Sequence, residues 1–351
     1  MSEIQTLTLR RPDDWHLHLR DGEAMAAVLP FTARQFARGV VMPNLKPAIT
    51  TTDQADAYRQ RILAAVPHGL QFEPLMTLYL TNSTAPAEIY KAKAAGFIVG
   101  CKLYPAGATT HSDAGVTAIE HIYPALEAMQ ESGLVLQVHG EVTNSEVDIF
   151  DRETVFIEKI LAPLTERFPH LKIVFEHVTT RSAVEFVQQA RDGVAATITP
   201  QHLLHNRNAI FQNGIRPHYY CLPILKRETD REALVTAATS NSSRFFLGTD
   251  SAPHAQHTKE NACGCAGMFS AHAALELYAE AFEQAGKLHQ LEAFASERGA
   301  DFYGVPRNTG QVTLERIEWI APQHYPFGQN KLVPMRAGEA IRWRMRDESR
   351  A

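Results

Sequence analysis

The chain has 351 residues, 45% of them hydrophobic, a formal net charge of −5 and an isoelectric point near 6.3. That is enough apolar material for a large core, and it excludes a nucleic-acid partner because no basic excess exists to neutralise phosphates. No apolar run approaches the roughly 20 residues of a membrane span, and Met1-Ser2-Glu3-Ile4-Gln5-Thr6 lacks the basic-then-apolar layout of a secretory signal. A cytoplasmic protein with no membrane partner is expected.

Short apolar runs alternate with longer helical patterns. Strands are predicted at Trp15–His18, Val40–Pro43, Pro74–Leu80, Ile98–Leu103, Leu134–His139, Lys172–His177, Ala195–Thr199 and Arg244–Thr249. Most are nearly continuous in Val, Ile, Leu and Phe, as strands buried on both faces should be. Between them Glu23–Ala37, Asp53–Val66, Pro86–Ala95, Thr117–Ser132, Arg152–Arg167 and Ser182–Ala190 carry apolar residues at three- and four-residue spacing and predict helices. Gly133 stops the fourth of these, and Pro124 interrupts its interior.

Eight strand–helix repeats predict an α/β fold, a TIM (β/α)8 barrel over about residues 12–305. A doubly wound open sheet is the alternative, but no Gly-x-Gly-x-x-Gly follows the first strand. Beyond that, Val312–Ile320 and Ile341–Met345 predict short strands in a small C-terminal extension over about 306–351, a cover on one domain spanning 1–351. Cys101, Cys221, Cys263 and Cys265 are too few and too scattered to staple such a chain, so reduced thiols are expected.

The chemistry collects where predicted strands end. His16 and His18 are separated by one apolar residue, so a strand presents both rings on one face. Lys102, His139, His177 and Asp250 lie at the ends of later strands, which converge on one face of a parallel barrel. Taken singly, each has an ordinary reading: packing for a histidine, an ion pair for Lys102, a turn cap for Asp250. Together they form a metal-compatible set. Four histidines and a carboxylate exceed the three protein ligands of one open zinc site, whereas two metals about 3.5–4 Å apart would use them. A lysine desolvated in a barrel mouth has a lowered pKa, and its neutral amine can add carbon dioxide to give a carboxylate-like bridge.

Several segments carry a more specific signal: Pro12-Asp13-Asp14-Trp15-His16-Leu17-His18-Leu19-Arg20-Asp21-Gly22, Val41-Met42-Pro43-Asn44, Lys102-Leu103-Tyr104-Pro105-Ala106, Val138-His139-Gly140-Glu141 and Phe175-Glu176-His177. Thr197-Ile198-Thr199-Pro200-Gln201-His202, Arg216-Pro217-His218-Tyr219-Tyr220-Cys221-Leu222-Pro223, Gly248-Thr249-Asp250-Ser251-Ala252-Pro253-His254 and Cys263-Gly264-Cys265-Ala266-Gly267 follow. This combination resembles the amidohydrolase superfamily and, within it, the dihydroorotases of monofunctional bacterial type.

The resemblance implies two zinc ions per subunit, bridged by hydroxide and by Lys102 as N6-carboxylysine. His16, His18 and Asp250 would hold the more buried ion, and His139 and His177 the second. Asp250 would also be the catalytic base and then acid. Arg20, Asn44 and His254 would bind the substrate carboxylate, His18 and His139 would border the substrate, and backbone groups at Leu222 and Ala266 would read its ring amide edge. Thr109 and Thr110 would close as a lid. The implied reaction is reversible cyclisation of N-carbamoyl-L-aspartate to L-dihydroorotate and water, in a homodimer serving pyrimidine biosynthesis. A related cyclic amidohydrolase of hydantoinase or allantoinase type is the alternative, and a non-catalytic scaffold on the same barrel is a third reading.

Overall fold

The structure, a computed structural model, describes residues 5–346; Met1–Ile4, where the leader reading begins, lie outside the described residues. Eight parallel strands follow one another in chain order around a barrel. They are β1 (Asp13–Leu17), β2 (Arg38–Val41), β3 (Glu73–Tyr79), β4 (Ile98–Leu103), β5 (Val135–Val138), β6 (Ile173–Phe175), β7 (Val194–Ile198) and β8 (Phe245–Leu247). The first and last strands meet through Asp250 N–H to His16 O at 2.8 Å and His18 N–H to Ser251 O at 3.0 Å, which brings the two ends of the sheet together.

Alternation along the strands separates two apolar layers. Leu17, Val41, Met76, Leu136, Val138, Ile173, Phe175, Phe245 and Leu247 join the large cluster packed against the outer helices. Trp15, Val40, Leu75, Val135, Val174, Ala195 and Phe246 form a separate inner cluster, the filled lower part of the barrel. Trp15 stacks on Tyr303 there, centroids 4.5 Å apart. Above this plug the inward positions turn polar, and the site begins.

Two irregularities aim key side chains. The pairing of β1 with β2 shifts register between Asp14 and Leu17, so Trp15 can fill the plug while its neighbour His16 faces the site. The pairing of β3 with β4 shifts between Ile98 and Gly100, two residues before Lys102.

The predicted strands and the six predicted helices are present, with local differences. The helix expected from Thr117 begins as α-helix only at Tyr123, which puts Pro124 in its first turn, where a missing N–H costs nothing, and not in its interior. The helix expected over Arg152–Arg167 contains a π-turn at Ile157–Leu161. Helices Glu228–Ala238 and Ala274–Gln284 went unpredicted. The second is buried from Ala274 to Phe282, including Glu276 and Glu280, whose helical spacing with Glu283 is the signal the sequence offers for it.

In the extension, the stretch expected as one strand from Val312 to Ile320 is two, Gln311–Glu315 and Trp319–Ile320. The second expected strand likewise divides into Ala340–Ile341 and Arg344–Met345. The strand Thr6–Arg10, also unpredicted, pairs antiparallel with Gln311–Glu315 and ties the segment before the barrel to the extension after it. All four cysteines are free. Among the described residues no helix is long and apolar enough to cross a membrane.

Candidate active site

The rings of His18, His16, His177 and His139 form a continuous arc over the plug, with successive centroids 5.4, 4.9 and 4.9 Å apart. His139 arrives by simple alternation, two positions beyond Gln137 on the line of β5. Three other groups arrive through strained backbone: Arg20 has φ 64°, His177 42° and Asp250 44°, all in the left-handed region. At β6 this matters most. Alternation alone would send either Glu176 or His177 inward; the left-handed turn brings both.

Hydrogen bonds fix which ring nitrogen is free. His16 Nδ1–H donates to Glu176 Oε2 at 2.9 Å, and Thr197 Oγ1 donates to the same oxygen at 2.5 Å. His18 Nδ1–H donates to Asn44 Oδ1 at 2.8 Å. The Asn44 orientation is set by its Nδ2, which donates to Thr110 O at 3.1 Å. Each ring therefore keeps Nε2 as its lone-pair nitrogen. Those atoms lie 3.5 and 3.1 Å from Asp250 Oδ1. Two lone-pair nitrogens and a carboxylate oxygen converge, an arrangement that a divalent cation satisfies and neutral hydrogen bonding does not.

The surrounding electrostatics agree. Burial, reinforced by Lys102, holds His16 and His177 well below the ordinary imidazole pKa, in the neutral form that binds metal. Burial pushes Asp250 upward, but its neighbours His18, His16 and Lys102 outweigh it, leaving the carboxyl below its usual value. Glu176 is pushed up to about 7 by burial.

The other half of the arc is also open to a cation. His139 Nε2 lies 2.8 Å from Glu141 Oε2, which leaves Nδ1 as the lone-pair nitrogen. His177 Nδ1 is buried and makes no hydrogen bond. The Lys102 side chain is fully buried, and its Nζ has no hydrogen-bond partner among the described residues; burial lowers its pKa to about 8. A buried amine without hydrogen bonds is a poor place for a charge and a suitable one for conversion to a hydrogen-bonding, metal-ligating carbamate. The residues present thus fit a metal centre, most closely at His16, His18 and Asp250, whose ligand atoms lie within 4.8 Å of one another.

Beside this arc sits an anion-binding corner. Arg20 Nε donates to Pro253 O at 2.9 Å, and its Nη2 lies 3.0 Å from His254 Nε2. The same His254 nitrogen lies 2.9 Å from Ala266 O. A neutral ring nitrogen cannot donate to the carbonyl and accept from the guanidinium together, so one contact is always unsatisfied. An incoming carboxylate would take the guanidinium donors and resolve it.

Thr110 reaches the site rim, with Oγ1 donating to Ala266 O at 3.3 Å. Thr109 instead bonds within its own turn, through its N–H to Ser112 Oγ. Leu222 is half-buried beside the cis Leu222–Pro223 bond, and no side-chain contact places it in the metal arc. Glu141 and Glu176 stand within the family-like segments, but the sequence alone assigns them no role. The two-residue spacing His139-x-Glu141 was the available signal for the first, while Glu176 needed the left-handed turn to be seen.

A filled parallel barrel with histidines, a lysine and an aspartate at its strand ends defines an amidohydrolase. The amidohydrolase family matches residues 14–317, and the chain belongs to it. Over 97% of its length the chain is 67% identical to a dihydroorotase of Cupriavidus taiwanensis, 99% of which is covered. It also matches the crystal structure of a dihydroorotase from Campylobacter jejuni with TM-score 0.90 and 37% identity, over 99% of both chains. Within the amidohydrolases the chain therefore falls among the dihydroorotases, metal-dependent enzymes that act on a small-molecule cyclic amide. The L-hydantoinase of Arthrobacter aurescens, at 16% identity, TM-score 0.80 and coverage of 97% and 83%, shares the fold alone, so the hydantoinase alternative is not favoured.

Proposed function

We propose that this chain cyclises N-carbamoyl-L-aspartate to L-dihydroorotate with loss of water, and opens the ring in reverse, as a step of pyrimidine biosynthesis. The observation that carries this reading is the convergence of the bare Nε2 atoms of His16 and His18 on Asp250, next to the Arg20–His254 pair. The described residues act as one barrel domain with 306–346 as its extension, in a cytoplasmic homodimer; residues 347–351 of the expected extension lie outside the described residues.

Two zinc ions fit the donor set. His16, His18 and Asp250 would hold one, His139 and His177 the other, and Lys102 carboxylated on Nζ would bridge them. Bound there, the metals supply an acidified water and a polarised carbonyl at neutral pH.

The protein's own groups do the rest. Arg20, Asn44 and His254 hold the carboxylate beside the ring, with the guanidinium as the planar donor. His18 and His139 border the substrate, and the backbone at Leu222 and Ala266 reads the amide edge. In ring opening Asp250 accepts a proton from the attacking water and delivers it to the departing ring nitrogen. In ring closure Asp250 takes a proton from the ureido nitrogen and gives it to the leaving oxygen. Solvent supplies the second proton needed to release water, so ring closure consumes one proton and is favoured at low pH. Thr109 and Thr110 close over the site.

The test is a metal count on purified protein together with ring opening of L-dihydroorotate, followed by loss of ultraviolet absorbance, against hydantoin and allantoin. About two zinc per chain, with chelator-sensitive turnover of L-dihydroorotate alone, supports the reading. Metal with turnover of hydantoin or allantoin instead overturns it.

A further inference from the structure

Lys259 belongs to no part of the chemistry above, yet it is 3% exposed. It ends the short helix Gln256–Lys259. Its Nζ donates three hydrogen bonds, all to backbone carbonyls: Tyr220 at 3.0 Å, Cys265 at 2.8 Å and Gly267 at 2.6 Å. An ammonium has three donors and no acceptor, and here all three are used. Among the described residues its charge has no carboxylate partner. Burial lowers its pKa to about 8, with Cys221, Cys265 and Arg20 as the other ionisable groups that act on it. A buried cation held only by carbonyl dipoles is an expensive way to join two loops.

The geometry shows what the arrangement does. The carbonyls of Cys265 and Gly267 both turn toward Nζ, so the carbonyl between them turns the other way. That middle carbonyl, Ala266 O, is the one reached by His254 Nε2 at 2.9 Å and by Thr110 Oγ1 at 3.3 Å. The third carbonyl, Tyr220 O, precedes Leu222 by two residues and also accepts from Gly267 N–H at 3.0 Å. Gly267 has φ 146°, and a Cβ there would lie 2.7 Å from Ala252 O, so the loop has little room to settle otherwise. One ammonium therefore fixes both backbone segments that carry Leu222 and Ala266.

We propose that Lys259 is a positioning residue that presents the Ala266 carbonyl to the lid residue Thr110 and to the substrate. This inference rests on the reading of Thr110 and Ala266 as lid and substrate edge. Lys259 touches neither substrate nor metal ligands; it acts through the backbone it holds.

The experiment uses the full-length zinc-loaded enzyme with Lys259→Met, Lys259→Gln, Thr110→Val and the Lys259→Met/Thr110→Val double variant, following ring opening of L-dihydroorotate. Zinc content and thermal midpoint are measured alongside. Lys259→Met should raise KM about tenfold with kcat changed far less, and Lys259→Gln, with two donors, should fall between. Thr110→Val should raise KM in the wild type but add less than about twofold on the Met background, because the carbonyl it reaches has already moved. Should Lys259→Met not fold, the Gln variant carries the same comparison. An unchanged KM in the Lys259 variants, penalties that multiply independently, or loss of zinc and kcat at constant KM would each overturn the inference. A silent Thr110→Val in the wild type would sink the lid reading itself, and the inference with it.

Discussion

Glu141 Oε2 lies 2.8 Å from His139 Nε2, both side chains being buried, so the carboxylate selects which nitrogen of that ring is free to bind. Partners of this kind are usually worth about 10–100-fold in metal affinity. Glu141→Ala is therefore expected to weaken retention of the metal at His139 and His177, seen as zinc lost on dialysis against a weak chelator. Glu141→Gln, which can still accept from Nε2–H, should keep more. Equal retention in all three proteins would remove the orienting role.

Asp250 is both the meeting point of His16 and His18 and a carboxyl held in its ionised form. Asp250→Ala should lower kcat by about 10²–10⁴-fold or more in both directions, since general acid–base catalysis alone contributes that much. Much of the metal should remain on the other ligands, as a metal count would show. Substantial turnover in either direction would contradict the assignment of the proton carrier.

Among the described residues the Lys102 amine has no hydrogen-bond partner, which is the ground for proposing its carboxylation. Zinc-stripped protein reloaded in bicarbonate-free buffer should regain activity slowly, and added bicarbonate should restore it. Lys102→Ala should be inactive and partly rescued by short carboxylic acids. Rapid reactivation without bicarbonate would mean that the lysine acts unmodified.

The depressed pKa of Lys259 makes a signed prediction. The folded chain releases its proton near pH 8 while the unfolded chain holds it to about 10.5. Between those values the unfolded state binds more protons, so stability rises with pH, by roughly 3 kcal/mol at most, relative to Lys259→Met. The functional effect has the opposite sign. Above pH 8 the neutral amine has one donor fewer than its three carbonyls require, and KM for L-dihydroorotate should rise. Denaturation and KM at pH 7.5 and 9.5 in both proteins would show it; identical pH trends would refute it.

Below the site, a Cβ at Gly299 would come within 2.1 Å of Trp15 Nε1, in the plug of the barrel. Gly299→Ala should cost about 1–3 kcal/mol by overpacking and leave kcat per folded molecule unchanged. A large fall in kcat at full folding would mean that the plug transmits strain to His16.

The six candidate ligand positions and the eight strands were legible because each rests on short-range pattern. Continuous apolar runs mark strands buried on both faces, and a polar residue ending such a run stands out whatever surrounds it. His16, His18, Lys102, His139, His177 and Asp250 all announce themselves in this way. The helix Ala274–Gln284 did not, although Glu276, Glu280 and Glu283 recur at helical spacing; the first two are buried and mark no solvent face. Nor did the strand Thr6–Arg10, whose partner lies some three hundred residues away.

By itself the sequence determined a parallel barrel and the residues gathered at its mouth, since alternation and strand ends are local properties of a chain. Only the tertiary structure decided which nitrogen each histidine leaves bare, because that depends on Glu176, Asn44 and Glu141 arriving within hydrogen-bond reach. It alone turned His177 and Asp250 inward through left-handed backbone, and it alone placed the Lys259 ammonium between two loops. Hydrogen-bond direction and backbone strain are properties of neighbours in space, and a linear pattern carries no record of them.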